Sequence, residues 1–128
     1  MKPDIEAIFL DVGNTLRIVI PDAEFIAKAK KDLVELVGPK TSEDEFFATL
    51  EERWKAYRKQ SKASLLEASE KELWTQWLLP DYPAEQIAPI SGRLTRLWRD
   101  HDGRREPRPD VSQVVKELHR RGYVLGII

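Results

Sequence analysis

Residues 7–17, AIFLDVGNTLR, decide how this chain is read. The stretch runs apolar up to Asp11 and then turns through Gly13, Asn14 and Thr15. An aspartate in that position is either a turn former, because Asp and Gly-Asn are common in turns, or a reactive carboxylate held out on a rigid support. The residues before it, Ile5 to Leu10, are mostly apolar or β-prone, as in a short strand buried on both faces.

Downstream the periodicity becomes helical, from Asp22 to about His101. Asp22 is placed to cap a helix whose apolar positions Phe25, Ala29, Leu33 and Leu36 recur at helical spacing, with Gly38 and Pro39 as its stop. Ser42 and Glu45 have capping-box spacing ahead of Phe46, Leu50, Trp54 and Tyr57. Ser69 and Glu72 repeat that start ahead of Leu73, Trp74, Trp77 and Leu78. After Pro80 and Pro83, the positions Ile87, Ile90, Leu94, Leu97 and Trp98 predict one further helix. The sum is an insert of about four helices. Beyond His101 the polar stretch DGRREPRPD (102–110) reads as a connection. Val111, Val114, Val115 and Leu118 predict a last amphipathic helix closed by Gly122, and YVLGII (123–128) predicts a second buried strand. A strand, a long helical insert, a helix and a strand predict a parallel pair.

Composition bounds the function classes. The chain has 128 residues, and 22 acidic residues nearly cancel 21 basic ones, so it is no polyelectrolyte built for nucleic acid or an anionic membrane. Without cysteine there is neither a disulfide framework nor a thiolate metal site. No apolar run approaches membrane-spanning length, and the acidic residues near the start do not suit a signal peptide. The expectation is a cytoplasmic protein with no nucleic-acid or membrane partner.

The order of these elements, together with Asp11, Val12, Gly13, Asn14, Thr15 and Leu16, resembles the haloacid dehalogenase-like hydrolases. The first motif of that family is an apolar strand ending in Asp-x-Asp-x-Thr-Leu or a near variant. Residues 108–128, RPDVSQVVKELHRRGYVLGII, are similar to the family's helix and second core strand. The resemblance implies an α/β fold, mostly helical by content: a partial Rossmann-like parallel sheet from residues 1–20 and 104–128, with residues 21–103 inserted as a four-helix cap. It implies a phosphatase acting through an aspartyl nucleophile on a small phosphorylated or other anionic metabolite. By the same resemblance Asp11 is nucleophile and ligand to Mg2+, the Gly13 carbonyl is a second metal ligand, Thr15 holds the loop, and this site faces the cap at the carboxyl ends of the strands.

Gly13 stands where the family has a second aspartate, which protonates the leaving alkoxide. General acid help is worth about 10²–10⁴-fold in rate. Three readings follow: a phosphohydrolase using another acid, a dehalogenase-like chemistry or other good leaving group, and a non-catalytic relative whose insert serves as a binding module. The family's later motifs would lie beyond Ile128. The chain is therefore expected to be cut short after its second core strand, to have little or no turnover alone, and to self-associate through open strand edges.

Other residues carry less. Arg93, Arg96, Arg99, Arg104, Arg105 and Arg108 cluster near Trp98 in the sequence, a basic strip suited to an anionic substrate or a nucleic-acid backbone. Arg93, Arg96 and Arg99, however, fall opposite the apolar stripe of their helix and predict a solvated face. Trp54, Trp74, Trp77 and Trp98 lie on apolar stripes and predict packing. His101 reads as an exposed loop histidine, and His119 suits a helix C-terminus.

Overall fold

In the computed structural model, which describes residues 4–128, the apolar run before Asp11 forms strand β1 (Ala7–Leu10), followed by β2 (Arg17–Ile20). The helical part comprises α1 (Ala23–Val37), α2 (Glu43–Ser64), α3 (Glu70–Glu72), α4 (Ala84–Ile87) and α5 (Ser91–Asp100). Strand β3 (Arg104–Pro107), helix α6 (Val111–Arg120) and strand β4 (Val124–Ile127) complete the chain. The described residues up to Ala23 form one compact unit with Asp102–Ile128, and Glu24–His101 form a second. No helix among the described residues is long and apolar enough to cross a membrane.

In the α/β unit, β1 and β4 pair in parallel, with Ala7 beside Val124 and Ile8 beside Leu125. The Val124 amide donates to the Glu6 carbonyl at 3.0 Å and the Ile128 amide to the Leu10 carbonyl at 3.1 Å, one bond at each end of the ladder. Residues alternate between faces along each strand. Ile8, Leu10 and Leu125 are half-buried. On the other face Phe9 is 65% and Val124 67% exposed, and Ile127 at the strand end is 70% exposed. The expectation of two strands buried on both faces is therefore corrected. Helix α6 gives this unit a single covering layer, and a parallel pair needs two.

The polar stretch 102–110, read from sequence as a connection, contains β3, which pairs antiparallel with β2 from Arg17–Pro107 to Ile20–Arg104. Charged side chains hid this strand from the apolar pattern. They are satisfied at the surface: Arg104 meets Asp22 at 3.4 Å and also Glu106, and Arg105 meets Asp102 at 2.7 Å. Gly103 makes the pairing possible. Its φ is +144°, and a Cβ there would come within 2.6 Å of the Ile20 carbonyl oxygen.

Every fully buried apolar side chain among the described residues belongs to the helical unit. Leu33, Leu50, Trp74, Leu78, Leu79 and Leu94 are excluded from solvent. Ser42 caps α2 by accepting from the Glu45 amide, and Ser69 with Glu72 makes a complete capping box on α3. The expected helix after Ser69 is not regular. It passes into a π-helical turn, Leu73–Leu78, whose last bond runs from the Leu79 amide to the Trp74 carbonyl at 2.9 Å. There the Trp74 indole donates to the Thr95 hydroxyl at 2.9 Å. The helix expected to run through Ile87 and Trp98 is interrupted by a 3-10 turn at Ala88–Ile90, where Pro89 lacks an amide hydrogen.

His101 is not the exposed loop residue that the sequence suggested. Its side chain is 15% exposed, its ring stacks 4.0 Å from that of Trp98, and Nε2 lies 2.9 Å from Glu51 Oε1. Trp98 also meets Phe47, Trp54 and Trp74, so the histidine closes one end of an aromatic core. Arg93, Arg96 and Arg99 are exposed.

Two outcomes follow from this packing. Leu94→Ala, at a position with no solvent exposure, is expected to destabilise the helical unit by about 2–5 kcal/mol. Tryptophan fluorescence in a urea titration reads this unit selectively, because all four tryptophans lie in it. The second outcome concerns acid. The Arg53 hydrogen bond holds the Asp81 carboxyl below its ordinary value. A carboxylate with a lowered folded-state value contributes its full stabilisation above the unfolded value and loses it as pH falls through the folded one. Asp81→Asn should therefore flatten the acid limb of the stability profile, measured as urea midpoint against pH.

Candidate active site

Asp11 follows directly on β1, at the carboxyl end shared by the parallel pair. Ligands of open parallel sheets bind at that end, where the loops diverge. The loop is tightly built. The Val12 carbonyl receives the amides of Thr15, Leu16 and Arg17 at 3.3, 3.0 and 3.1 Å. Asn14 takes the left-handed conformation, φ +59°, which asparagine tolerates better than most residues. Gly13 makes a single bridge to Arg17.

These turns bring two of the expected residues together. The Thr15 hydroxyl donates to Asp11 Oδ2 at 3.2 Å, so threonine orients the carboxylate. Asp11, Gly13 and Thr15 are all exposed. Their exposure suits a group that must meet a ligand, and it equally suits a surface Asx turn.

The loop borders, through Thr15, a hollow of about 280 Å3 that is lined also by Leu10, Leu16, Val111, Val114 and Val115, with Arg108 and Asp110 at its polar edge; Asp11 and Gly13 do not line it. The Arg108 amide donates to the Leu16 carbonyl at 3.0 Å, and its guanidinium lies 3.8 Å from Asp110. Arg108, which the sequence grouped only with a basic strip near Trp98, is thus held beside the loop at residue 16. The signal was the pairing of β2 with β3, which fixes 108 opposite 16 and was invisible in the apolar pattern.

Magnesium takes oxygen ligands in an octahedron, using one or two carboxylates with water and substrate phosphate. This loop offers the Asp11 carboxylate and the Gly13 carbonyl. Among the described residues no group of three or more His, Cys, Asp or Glu comes together. The donor set is too small to hold the ion by itself.

No family model, no curated protein and no solved structure matches this chain.

The conformation of Gly13 is not one that only glycine adopts, and a Cβ added there meets nothing within 4 Å. Gly13→Ala is therefore expected to stabilise the chain by about 0.4–1 kcal/mol, through the lower entropy of the unfolded state. Circular dichroism of the urea transition checks this. Loss of stability would show that the loop needs glycine.

Proposed function

We propose that the chain carries the nucleophile loop of a hydrolase of the haloacid dehalogenase-like type, with Asp11 as the group that accepts a phosphoryl unit. The observation that supports this reading best is the position of Asp11 at the carboxyl end of a parallel pair, with one carboxylate oxygen engaged by Thr15. The second oxygen, Oδ1, attacks phosphorus. An oxygen–phosphorus bond forms, the bond to the leaving oxygen breaks, and the electron pair departs with that oxygen. Water then cleaves the aspartyl phosphate, releasing phosphate and restoring the carboxylate.

Gly13 supplies no proton to the leaving group. The reading is therefore most economical for a leaving group that departs as a stable anion, such as the carboxylate of an acyl phosphate. Arg108, beside Thr15 in the same hollow, supports an anionic substrate as a nearby cation, although its guanidinium already lies 3.8 Å from Asp110. Magnesium, which the family resemblance implies, would offset phosphoryl charge, and no step here depends on it. A second reading is favoured by the small donor set: the loop is a surface turn, and the helical unit, which holds the whole buried core, is a binding module.

The two readings separate on substrates. With magnesium present, the low turnover expected of this chain should be faster on an acyl phosphate than on an alkyl phosphate ester, and Asp11→Asn should abolish both activities. Gly13→Asp should restore up to about 10²–10⁴-fold on the alkyl ester, the usual worth of a general acid. Equal background from the parent chain and Asp11→Asn on every phosphate and haloacid substrate would favour the binding module.

A further inference from the structure

Within the helical unit a cavity of about 460 Å3 opens between the loop joining α1 to α2 and the turn that follows the π-helical segment. That volume lies in the range of small-molecule sites. Its floor is apolar: Phe46, Leu50 and Leu79 are buried and face it. We propose that this cavity binds a small organic monoanion, a carboxylate with an apolar body, with Lys40 and Tyr82 as its polar contacts.

Charge and hydrogen bonding in the walls carry the assignment. Arg53 also lines the cavity, but it is already committed. Its Nη1 donates to the Leu78 carbonyl and to Asp81, each at 2.8 Å, so its charge is neutralised and the turn after Leu78 is pinned to α2. Lys40 is different. It lines the cavity and has no ion-pair or hydrogen-bond partner among the described residues, leaving one net positive charge at the rim. The Tyr82 ring is packed against the core, and its hydroxyl has no hydrogen-bond partner among the described residues either. It is a donor in the wall of the same cavity as the unmatched cation. The two together match a carboxylate.

The same surroundings disfavour a dianion. Helix α2 opens with Glu43, Asp44 and Glu45, just past Thr41 on the cavity wall. A single free ammonium balances the charge of a monoanion and leaves half of a dianion's charge uncompensated. The site is also preformed. Ser42 caps α2 on one side and the Arg53 bonds hold the other, so little ordering is needed on binding.

The test uses the full chain, isotope-labelled, with 4-phenylbutyrate, the neutral 4-phenylbutan-1-ol and inorganic phosphate as probes. The acid is expected to shift amides of residues 37–53 and 79–86 saturably, with a Kd of about 1 mM or tighter, and the alcohol to bind about tenfold more weakly. Lys40 is exposed, so Lys40→Gln should fold normally. It should reduce the acid to the affinity of the alcohol and leave the alcohol unchanged. The proposal is overturned by any of three results: no saturation at about 10 mM acid, equal binding of acid and alcohol, or shifts centred on β1 and β4. Phosphate binding at these residues as tightly as the acid would overturn the monoanion assignment.

Discussion

The parallel pairing of β1 with β4 is the constraint from which the rest of the chain takes its arrangement. It joins residues 7–10 to residues 124–127, near opposite ends of the sequence. A parallel pair cannot be closed by a tight turn and needs a crossover, and α6 supplies the last part of that connection. Everything between β2 and β3 is then free to be an insertion, and it folds as a unit with its own core. The same pairing puts Asp11 at a carboxyl end of the sheet, where a ligand is reached from the loops.

The two units are stabilised very differently. The helical unit encloses Leu33, Leu50, Trp74, Leu78, Leu79 and Leu94 completely, whereas the α/β unit has no fully buried side chain among the described residues and leaves Phe9, Val124 and Ile127 largely exposed. Regions with few buried apolar contacts open at lower free energy than closed cores. The nucleophile role proposed for Asp11 nevertheless needs a fixed position. Here the fixing comes from hydrogen bonds rather than from packing: three amides on the Val12 carbonyl and the Thr15 hydroxyl on Asp11. The loop is ordered by its own backbone, which is why so short a stretch of sequence was informative.

The sequence disclosed what rests on periodicity and local chemistry. Ser69 and Glu72 announced a capping box, Leu33, Leu50 and Leu94 fell on buried faces, and the alternation of strand, helices and strand pointed to the parallel pair. It was silent where tertiary contacts decide. Strand β3 carries Arg104, Arg105 and Glu106, so only its backbone pairing with β2 reveals it. The π-helical turn buries Trp74 and Leu78 together, an arrangement that no spacing rule encodes. His101 looked like a loop residue because its partners, Trp98 and Glu51, come from a neighbouring turn and another helix. At the site, Asp11, Gly13 and Thr15 were legible as a motif. Arg108 was legible only as part of a basic strip, and its place beside the loop was not, since its link to Leu16 runs through the backbone.

Mass spectrometry of the chain after brief exposure to an acyl phosphate, quenched in acid, tests the role of Asp11 most directly. A nucleophilic aspartate would carry one phosphoryl group on the peptide containing residues 7–17, lost on treatment with hydroxylamine and absent from Asp11→Asn. A chain left unlabelled, or labelled equally in Asp11→Asn, would contradict the account and leave the loop as a surface turn.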